Sequence, residues 1–550
     1  MFHLIPSKTA KVALAVLAAA AGFASAATSV SQYGITWTFS QDRPVGQFVN
    51  GDWWVVGPVT LTNIDPKSSG TGDYTNGTQI NILPGQTQGL YYDSGTKQPA
   101  YSAAKNISLQ LPYTVPAGSS VYTGMNNPNT WTAGSAAEKT WFKETAVLTV
   151  LDSAPPAGSF RPPYAGTNKR IKPNWNVSSM NYNALKKLNA PIAGNVPNRA
   201  WLEEATKRPL LEMHFNYINS QWKASWAENK SGGYPRRTYG REISHISSGA
   251  GLYLQTNVSN ATKERLLINM CQWGIDVYGL LEAGMQWQPN GGHQHGRLMP
   301  LFIAAKVLDD PDLLARCSAS RSGFQEFAQH WFVTQTDINT PRSNSSIAPY
   351  NQSHLGMPEW NSGGPNERNQ ASSDWNATGY RFINGGPNTG VVATIMLMGG
   401  RSDINHEPLF RYIIERYYPT ARGGSAHVLP NYGDAPMLFT RDMWDAYISG
   451  TTTPPTDPPV ETTFVVGDRI QTANNTNVRA TGTLLGTLLG VQVQGSLGTI
   501  VAGPVMADNI TWWQVNYDNG ADGWSGGDNF IKSTNSATPP SAPTGLRVVK

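Results

Sequence analysis

The sequence predicts a multidomain protein with α and β domains: an antiparallel β-sandwich, then an α/α-toroid-like helical domain, then a small β-domain. Three observations predict this order. Short β-rich segments occupy residues 28–155, helical periodicity starts near residue 198, and strand-like segments return after a Pro/Thr linker at residues 451–461. The 550 residues also exceed what one hydrophobic core supports, since chains of this length divide into about three domains.

The first 26 residues have the pattern of a secretory signal peptide. Lys8 and Lys11 precede a short apolar run, and Ala24-Ser25-Ala26 matches a cleavage site. The run is too short to span a bilayer, and no later segment reaches the about 18–20 apolar residues that a span needs. We therefore expect a secreted protein, extracellular or periplasmic, without a membrane span.

The net charge argues against a nucleic-acid partner. The chain has 41 Lys and Arg against 37 Asp and Glu, and the excess of +4 falls to +2 when the two signal-peptide lysines are removed. Nucleic-acid-binding surfaces need a larger basic excess. No P-loop and no G-x-G-x-x-G between a strand and a helix occurs in the sequence, so no nucleotide site is predicted.

The predicted sandwich, residues 28–155, consists of short segments rich in β-branched and aromatic residues. They are I-T-W-T-F, W-W-V-V, V-T-L-T-N-I, Q-I-N-I-L, I-S-L-Q-L and A-V-L-T-V-L. Several alternate apolar and polar residues, as strands with one buried face do. The Pro-rich segment 156–197 has no periodicity and is predicted to connect the sandwich to the next domain.

Residues 198–450 carry the periodicity of seven or eight helices separated by long polar loops. This pattern favours an α/α toroid, or part of one, over a compact four-helix bundle. Ordered loops as long as residues 335–385 often have a function, so this is the predicted catalytic domain. The two cysteines, Cys271 and Cys317, lie in its helices. Export permits a disulfide between them, and two buried free thiols are the alternative.

A glycine-rich turn, Q-W-Q-P-N-G-G-H-Q-H-G-R-L-M-P at residues 286–300, holds two histidines one residue apart. Removing the proton next to a uronate carboxylate requires a group that neutralises the carboxylate, a base, and an acid for the leaving oxygen. Asn290, His293, His295 and Arg297 include the first two types of group. A capped helix start with solvated histidines is the alternative.

A second cluster, Y-G-R-E-I-S-H, contains Tyr239, Arg241, Glu242 and His245. If a helix begins near Gly240, Arg241 and His245 lie one turn apart on one face. An ordinary amphipathic helix with surface ion pairs is the alternative. We expect this cluster and the histidine turn to meet at the wall of one groove, because groups that share a site must lie within hydrogen-bonding reach of a common substrate.

Four other residues stand out in the helical domain. Trp287, Trp360 and Trp375 lie in loops or at helix ends, where rings can stack on sugars, and burial in the core is the alternative. Asp276 lies on a strongly apolar helix, so its carboxylate must be paired or face a cavity.

The sequence requires no cofactor. His293 and His295 have the spacing to hold a divalent metal in an exposed turn, but such a site needs a third ligand. The candidates for that ligand are Asp276, Glu242, Asp374 and His354.

The C-terminal β-domain, residues 462–533, resembles the bacterial SH3-like domain. The shared features are N-V-R at Asn477–Arg479, a G-x-x-G-x-I turn, a W-W-x-V strand and a final D-G-W. The resemblance implies an SH3-like β-barrel that contacts a cell wall or glycan. Residues 534–550 resemble the start of a fibronectin type III domain, which predicts a longer modular protein.

The whole arrangement resembles that of secreted polysaccharide lyases of the alginate and heparinase-lyase type, which combine an α/α toroid with a β-sheet domain. The resemblance implies a polysaccharide substrate and β-elimination on a uronate-containing glycan. The predicted base is His293 or His295, and the predicted acid is Tyr239. The residues predicted to bind substrate are Asn290, Arg241, Arg297, His245, Trp287, Trp360 and Trp375.

Two other functions fit the same sequence. A glycoside hydrolase would use Glu242 with Asp276 or Asp374 as its pair of carboxyl groups. A non-catalytic adhesin for glycans or cell walls is compatible with the sandwich, the SH3-like module and the fibronectin-like tail, but it does not account for His, Arg and Glu in glycine-rich turns.

Overall fold

The computed structural model describes residues 25–68, 76–83, 103–126, 142–210, 240–373, 379–422, 435–449, 464–472, 475–483, 486–507 and 510–533. Some predictions lie outside these ranges: most of the signal peptide, Tyr239, Asp374, Trp375, the linker and the C-terminal tail. Within the described ranges, no helix is both long and apolar enough to cross a membrane.

In the N-terminal region, the described strands form one hydrogen-bonded sheet of eight. They are β1 (Ser25–Gln32), β2 (Ile35–Gln47), β3 (Trp53–Val56), β4 (Val59–Asp65), β5 (Gly77–Ile80), β6 (Tyr113–Val115), β7 (Ser119–Asn126) and β8 (Phe142–Leu151). The order is β5-β7-β8-β3-β2-β4-β6, with β1 paired to β2. Alternation places Ile35, Trp37 and Phe39 in the core, since every second side chain of β2 faces inward.

Two details of this sheet differ from the prediction. Strands β3 and β8 run parallel, with Trp53 opposite Leu148, so the purely antiparallel arrangement is wrong at this pair. Parallel neighbours need a long connection, and the chain between these strands provides one. The predicted strand I-S-L-Q-L contains a 3-10 helix at Ile107–Leu109, because the Asn106 side chain accepts the Ser108 N–H and caps a turn.

The Pro-rich connection, residues 156–197, is a packed layer between the sheet and the helices. Its helical elements are 3-10 helices at Val177–Ser179, Tyr182–Ala184 and Ala193–Asn195. Phe160, Tyr164 and Trp175 are buried and belong to the hydrophobic core of the helical region. The connection therefore positions the helices on the sheet.

Twelve α-helices are described. They are α1 (Arg199–Thr206), α2 (Gly240–Leu254), α3 (Asn260–Glu282), α4 (Leu298–Val307), α5 (Pro311–Cys317), α6 (Gln325–Ala328), α7 (Gln335–Asn339), α8 (Gly379–Leu397), α9 (Arg401–Ile404), α10 (Glu407–Arg411), α11 (Tyr418–Arg422) and α12 (Ala435–Tyr447). A π-helix, Tyr412–Tyr417, joins α10 to α11. Strands β9 (His330–Phe332) and β10 (Pro358–Trp360) form a small antiparallel pair. The predicted combination of helices and sheets is confirmed.

Helix α2 is buried along its whole length. It contacts α8 and α12, and also α1, α3 and α4. Its small residues permit close packing: the Ser248 hydroxyl donates to the Pro387 carbonyl at 2.9 Å, and a Cβ atom on Gly251 would lie 3.0 Å from the Thr394 hydroxyl oxygen. The polar residues at the start of α2 are therefore carried into the interior.

The cysteines of the helical region are free. Cys271 in α3 and Cys317 in α5 are both buried and unpaired. Burial raises the pKa of each thiol well above its ordinary value, so neither is a reactive thiolate at neutral pH.

A second sheet, of seven strands, lies near the C-terminus of the described chain. Its strands are β11 (Arg469–Thr472), β12 (Thr476–Arg479), β13 (Leu488–Gln492), β14 (Leu497–Ala507), β15 (Ile510–Tyr517), β16 (Gly523–Gly526) and β17 (Phe530–Lys532). The order is β13-β12-β16-β15-β14-β11-β17, and neighbours are antiparallel. The N-V-R and W-W-x-V segments lie in β12 and β15, and the SH3-like identity of the module stays a prediction.

Candidate functional site

The two clusters that were expected to share a site are in direct contact. We call residues 290–297 the histidine turn. The Arg241 backbone N–H donates to the Gly292 carbonyl oxygen at 2.9 Å. Gly240 lies so close to the turn that a Cβ atom there would be 2.3 Å from the His293 carbonyl oxygen. The turn and the start of α2 therefore form one cluster.

This cluster is largely buried and does not form the open groove that we expected. The buried members are His295, Arg297, Arg241, Glu242 and His245, none more than 7% exposed. Asn290 and His293 are half-buried. Among the described members of the cluster, these two offer the solvent-facing surface.

Helix α6 and the residue that ends it, Gln329, hold the histidine turn through three side chains. Gln325 and Gln329 each donate from Nε2 to the Gly291 carbonyl, at 2.6 and 2.8 Å. Glu326 accepts the Gly296 N–H at 2.8 Å. These bonds satisfy buried backbone groups of the turn and so set its shape. None of these three residues stood out in the sequence, where the available signal was two glutamines four positions apart.

The hydrogen bonds of Gln329 determine the tautomer of His295. The Gln329 Nε2 donates to the carbonyls of Gly291 and Ser362, so its Oε1 is an acceptor. That oxygen accepts the Trp360 Nε1–H at 3.2 Å and lies 3.0 Å from the His295 Nε2. The His295 proton is therefore on Nε2, and Nδ1 carries a lone pair.

The imidazoles of the cluster are uncharged at neutral pH. Burial lowers the pKa of His293 to about 4 and the pKa of His295 to about 3. Burial, together with the Arg241 guanidinium, lowers the pKa of His245 to about 3. Because an uncharged imidazole can accept a proton, these shifts keep the site in its basic form.

Arg241 and Glu242 form an ion pair at the start of α2. The Arg241 Nε donates to the Glu242 Oε1 at 2.8 Å, and an Nη atom reaches the same oxygen. Both side chains are buried, so the alternative of a surface ion pair on an amphipathic helix is wrong. A permanently charged guanidinium thus stands beside uncharged imidazoles.

Glu326 is a buried carboxyl group that sequence analysis did not single out. Its Oε1 accepts the Gly296 N–H, and its Oε2 has no hydrogen-bond partner among the described residues. Burial raises the pKa of Glu326, and the Gly296 N–H opposes this effect. The carboxyl group is therefore a further titratable group against the turn.

A further buried carboxyl group, Glu359, is surrounded by cations and a phenol. It accepts the Tyr350 hydroxyl and lies 3.3 Å from Arg381 and 3.4 Å from Arg416. Burial raises the pKa of Glu359, and the two guanidinium groups oppose the rise. This network joins β10 to α8 and the π-helix.

His330 lies between this network and the histidine turn. Its Nδ1 donates to the Glu326 carbonyl at 2.6 Å, and its ring packs edge-on against Tyr412 at 5.0 Å. Tyr412 begins the π-helix, an element that is rare and frequently found at functional sites. The polar interior is thus continuous from the turn to the π-helix.

Asp276 lies at the junction of helices and sheet. Its carboxylate accepts from Arg161 at 2.6 Å and from the Tyr164 N–H at 3.4 Å, while Arg161 also binds Asp52 at 2.5 Å. Burial raises the pKa of Asp276 to about 6, and Arg161 opposes the shift. Of the two expected situations, paired or facing a cavity, the structure shows the paired one, and the partner Arg161 joins the helices to the sheet.

Two of the predicted sugar-stacking rings lie in the core. Trp287 is 0% exposed and stacks on Phe324 with a centroid distance of 5.0 Å. Trp360 is 4% exposed and donates to Gln329. The prediction that these two rings stack on sugars is therefore wrong, because protein atoms already cover them. Their positions at helix and strand ends do not imply exposure.

The proposed metal ligands are not grouped. Within the part of the chain that the structure describes, no three His, Cys, Asp or Glu side chains are placed to hold a metal ion. Asp276 is bound by Arg161, and Glu242 by Arg241. His354 accepts the Asn351 N–H in a 3-10 turn at 2.9 Å.

No protein-family model matches the chain, and no match was found among curated proteins or solved structures. The function must therefore be inferred from the residues of the site.

Proposed function

We propose that the protein is a secreted enzyme that cleaves a uronate-containing polysaccharide by β-elimination, with the histidine turn and the start of α2 as its active site. The observation that carries the proposal is the backbone hydrogen bond from the Arg241 N–H to the Gly292 carbonyl, because it joins a residue with a permanent cation to a turn with uncharged imidazoles. β-Elimination needs both: a cation to neutralise the carboxylate and a base to take the neighbouring proton.

His293 is the base in this mechanism, because it is the half-buried imidazole of the turn. It takes the proton from the carbon next to the carboxylate, the electron pair forms a C=C bond, and the C–O bond to the leaving sugar breaks. Asn290 binds the carboxylate, and the Arg241 guanidinium, which is paired with Glu242 in the structure, is the neighbouring cation. Arg297 supports the turn, since its guanidinium is fully buried. The acid for the leaving oxygen is Tyr239, as expected from the sequence.

The wider parts of the proposal rest on the sequence patterns. The signal peptide supports secretion, and the SH3-like module supports contact with a glycan or cell wall. A toroid-like closure of the helical domain is part of the same proposal.

The glycoside hydrolase alternative has less support from the described residues. Glu242 is paired with Arg241, and Asp276 is bound by Arg161 at the junction with the sheet. A hydrolase needs two carboxyl groups that face the same bond, one as acid and one as base or nucleophile.

The test is digestion of alginate, pectate, glucuronan and glycosaminoglycans, followed by ultraviolet absorbance of unsaturated products. We expect absorbance with at least one of them, and a rate about 10²–10⁴-fold lower for His293→Ala, the usual loss when a general base is removed. His354→Ala is the matched control, because His354 is half-buried in a separate 3-10 turn. New reducing ends without absorbance would indicate a hydrolase. Binding without any product would indicate an adhesin.

A further inference from the structure

Gln325, the first residue of α6, and Gln329, which follows the helix, bind the histidine turn in parallel ways, and Gln329 also binds an imidazole. Gln325 donates to the Gly291 carbonyl and accepts the Gln294 N–H at 2.7 Å. Gln329 donates to the same carbonyl, but its oxygen lies 3.0 Å from the His295 Nε2. Both side chains are 0% exposed.

We propose that Gln329 is a positioning residue of this site. It holds His295 as the Nε2–H tautomer, so that the unprotonated Nδ1 faces the polar interior of the site. This inference rests on the proposed function, because it assigns a role within the same active site.

The unprotonated nitrogen faces a polar interior. The His295 Nδ1 is buried, and the Asn388 side chain lies within hydrogen-bonding reach of the ring. Asn388 is itself 0% exposed, so both groups belong to the interior of the site.

An amide suits this role better than a carboxylate. A carboxylate at position 329 would draw a proton onto His295 and favour the imidazolium. Gln329 is uncharged and its oxygen is fixed as an acceptor, so it selects the tautomer without charging the ring. Arg297 and His330 act on this ring and neither is an anion, while the Glu326 carboxyl group lies against the same turn and accepts the Gly296 N–H.

The first measurement is ¹⁵N NMR of histidine-labelled full-length protein, with the His295 signals assigned from the spectrum of His295→Asn. In the wild type at pH 7 we expect one protonated nitrogen, Nε2. Gln329→Leu should give a mixture of tautomers. Gln325→Leu removes an equivalent hydrogen bond to the Gly291 carbonyl and should leave the tautomer unchanged. Gln329→Glu should raise the pH at which His295 becomes protonated by about 1–3 units.

The second measurement is steady-state kinetics on the glycan that the wild type cleaves. Gln329→Leu should lower kcat by about tenfold to a hundredfold with little change in KM, because the site is assembled but misaligned.

The outcomes separate this inference from the proposed function. A wild-type His295 that is protonated on Nδ1, or equal effects of Gln325→Leu and Gln329→Leu on the tautomer, would overturn the positioning role. If no glycan is cleaved, the lyase proposal fails, and the NMR comparison still decides whether Gln329 controls the ring.

Discussion

His293 is the residue through which the proposed reaction depends on pH. Burial lowers the pKa of His293 to about 4, so the imidazole is unprotonated above that pH and charged below it. We therefore expect kcat/KM to stay level from neutral pH down to about pH 5 and to fall as the pH drops through 4. An acidic limb near the ordinary histidine pKa of about 6.5 would contradict the assignment of this base.

At the residue scale, the sequence predicted the site residues that are adjacent in the chain. It did not predict those that only folding brings to the site. The histidine turn was recognised because glycines and imidazoles are adjacent in the chain. Gln325, Glu326 and Gln329 were not, because amides and carboxylates are common on helices and only tertiary contact gives them a role. The burial of Trp287 was not predictable either, since a tryptophan at a helix end can face either way.

At the element scale, the close approach of α2 to the histidine turn depends on Gly240. A methyl group there would lie 2.3 Å from the His293 carbonyl oxygen, a backbone atom that cannot rotate away. We expect Gly240→Ala to lower the free energy of unfolding by about 1–3 kcal/mol and to reduce glycan cleavage more than its stability loss explains, because it displaces Arg241 from the turn. Urea unfolding and product absorbance are the measurements.

Gly251→Ala is the control in the same helix, because the nearest atoms there belong to the side chains of Thr394 and Met299, at 3.0–3.3 Å. It should affect stability without a selective loss of activity. Equal loss of activity in both variants would contradict a specific role for the contact between Gly240 and the turn.

Strands with a clear alternation of apolar and polar residues were predicted from the sequence. Where local capping forms a turn instead, the prediction failed. I-T-W-T-F, W-W-V-V and V-T-L-T-N-I lie in strands β2, β3 and β4. I-S-L-Q-L has the same alternation, yet Asn106 accepts a backbone N–H there and begins a 3-10 helix. The π-helix at Tyr412–Tyr417 was also not predictable, because its pattern of apolar residues is that of an ordinary helix.

At the scale of the whole molecule, Arg161 links the N-terminal sheet to the helices through two ion pairs. It binds Asp52 and Asp276, and all three side chains are at most 1% exposed. Arg161→Leu leaves two buried carboxylates without their cation, and we expect the free energy of unfolding to fall by about 3–5 kcal/mol. Urea unfolding at pH 7 is the measurement.

The matched control is Arg161→Leu combined with Asp52→Asn and Asp276→Asn, which removes the uncompensated charge. This triple variant should recover much of the lost stability. A loss of less than about 1 kcal/mol in the single variant would show that these two buried ion pairs stabilise the junction no more than exposed ones do.

The change of pattern along the chain predicted the combination of sheets and helices, but not how they are joined. A Pro-rich segment without periodicity has the composition of a linker, whereas Phe160 and Trp175 bury it against the helices. The parallel pairing of β3 with β8 likewise depends on contacts between distant segments.

The complete burial of α2 has a consequence for how a substrate is received. Residues 247–251, S-S-G-A-G, have little intrinsic tendency to form a helix, so surrounding contacts maintain it and its amide hydrogens should exchange with solvent only when the domain opens globally. The helix that carries Arg241 and His245 therefore stays folded for as long as the whole domain does. Any adjustment to an incoming sugar chain must therefore take place at Asn290 and His293, the half-buried residues of the site.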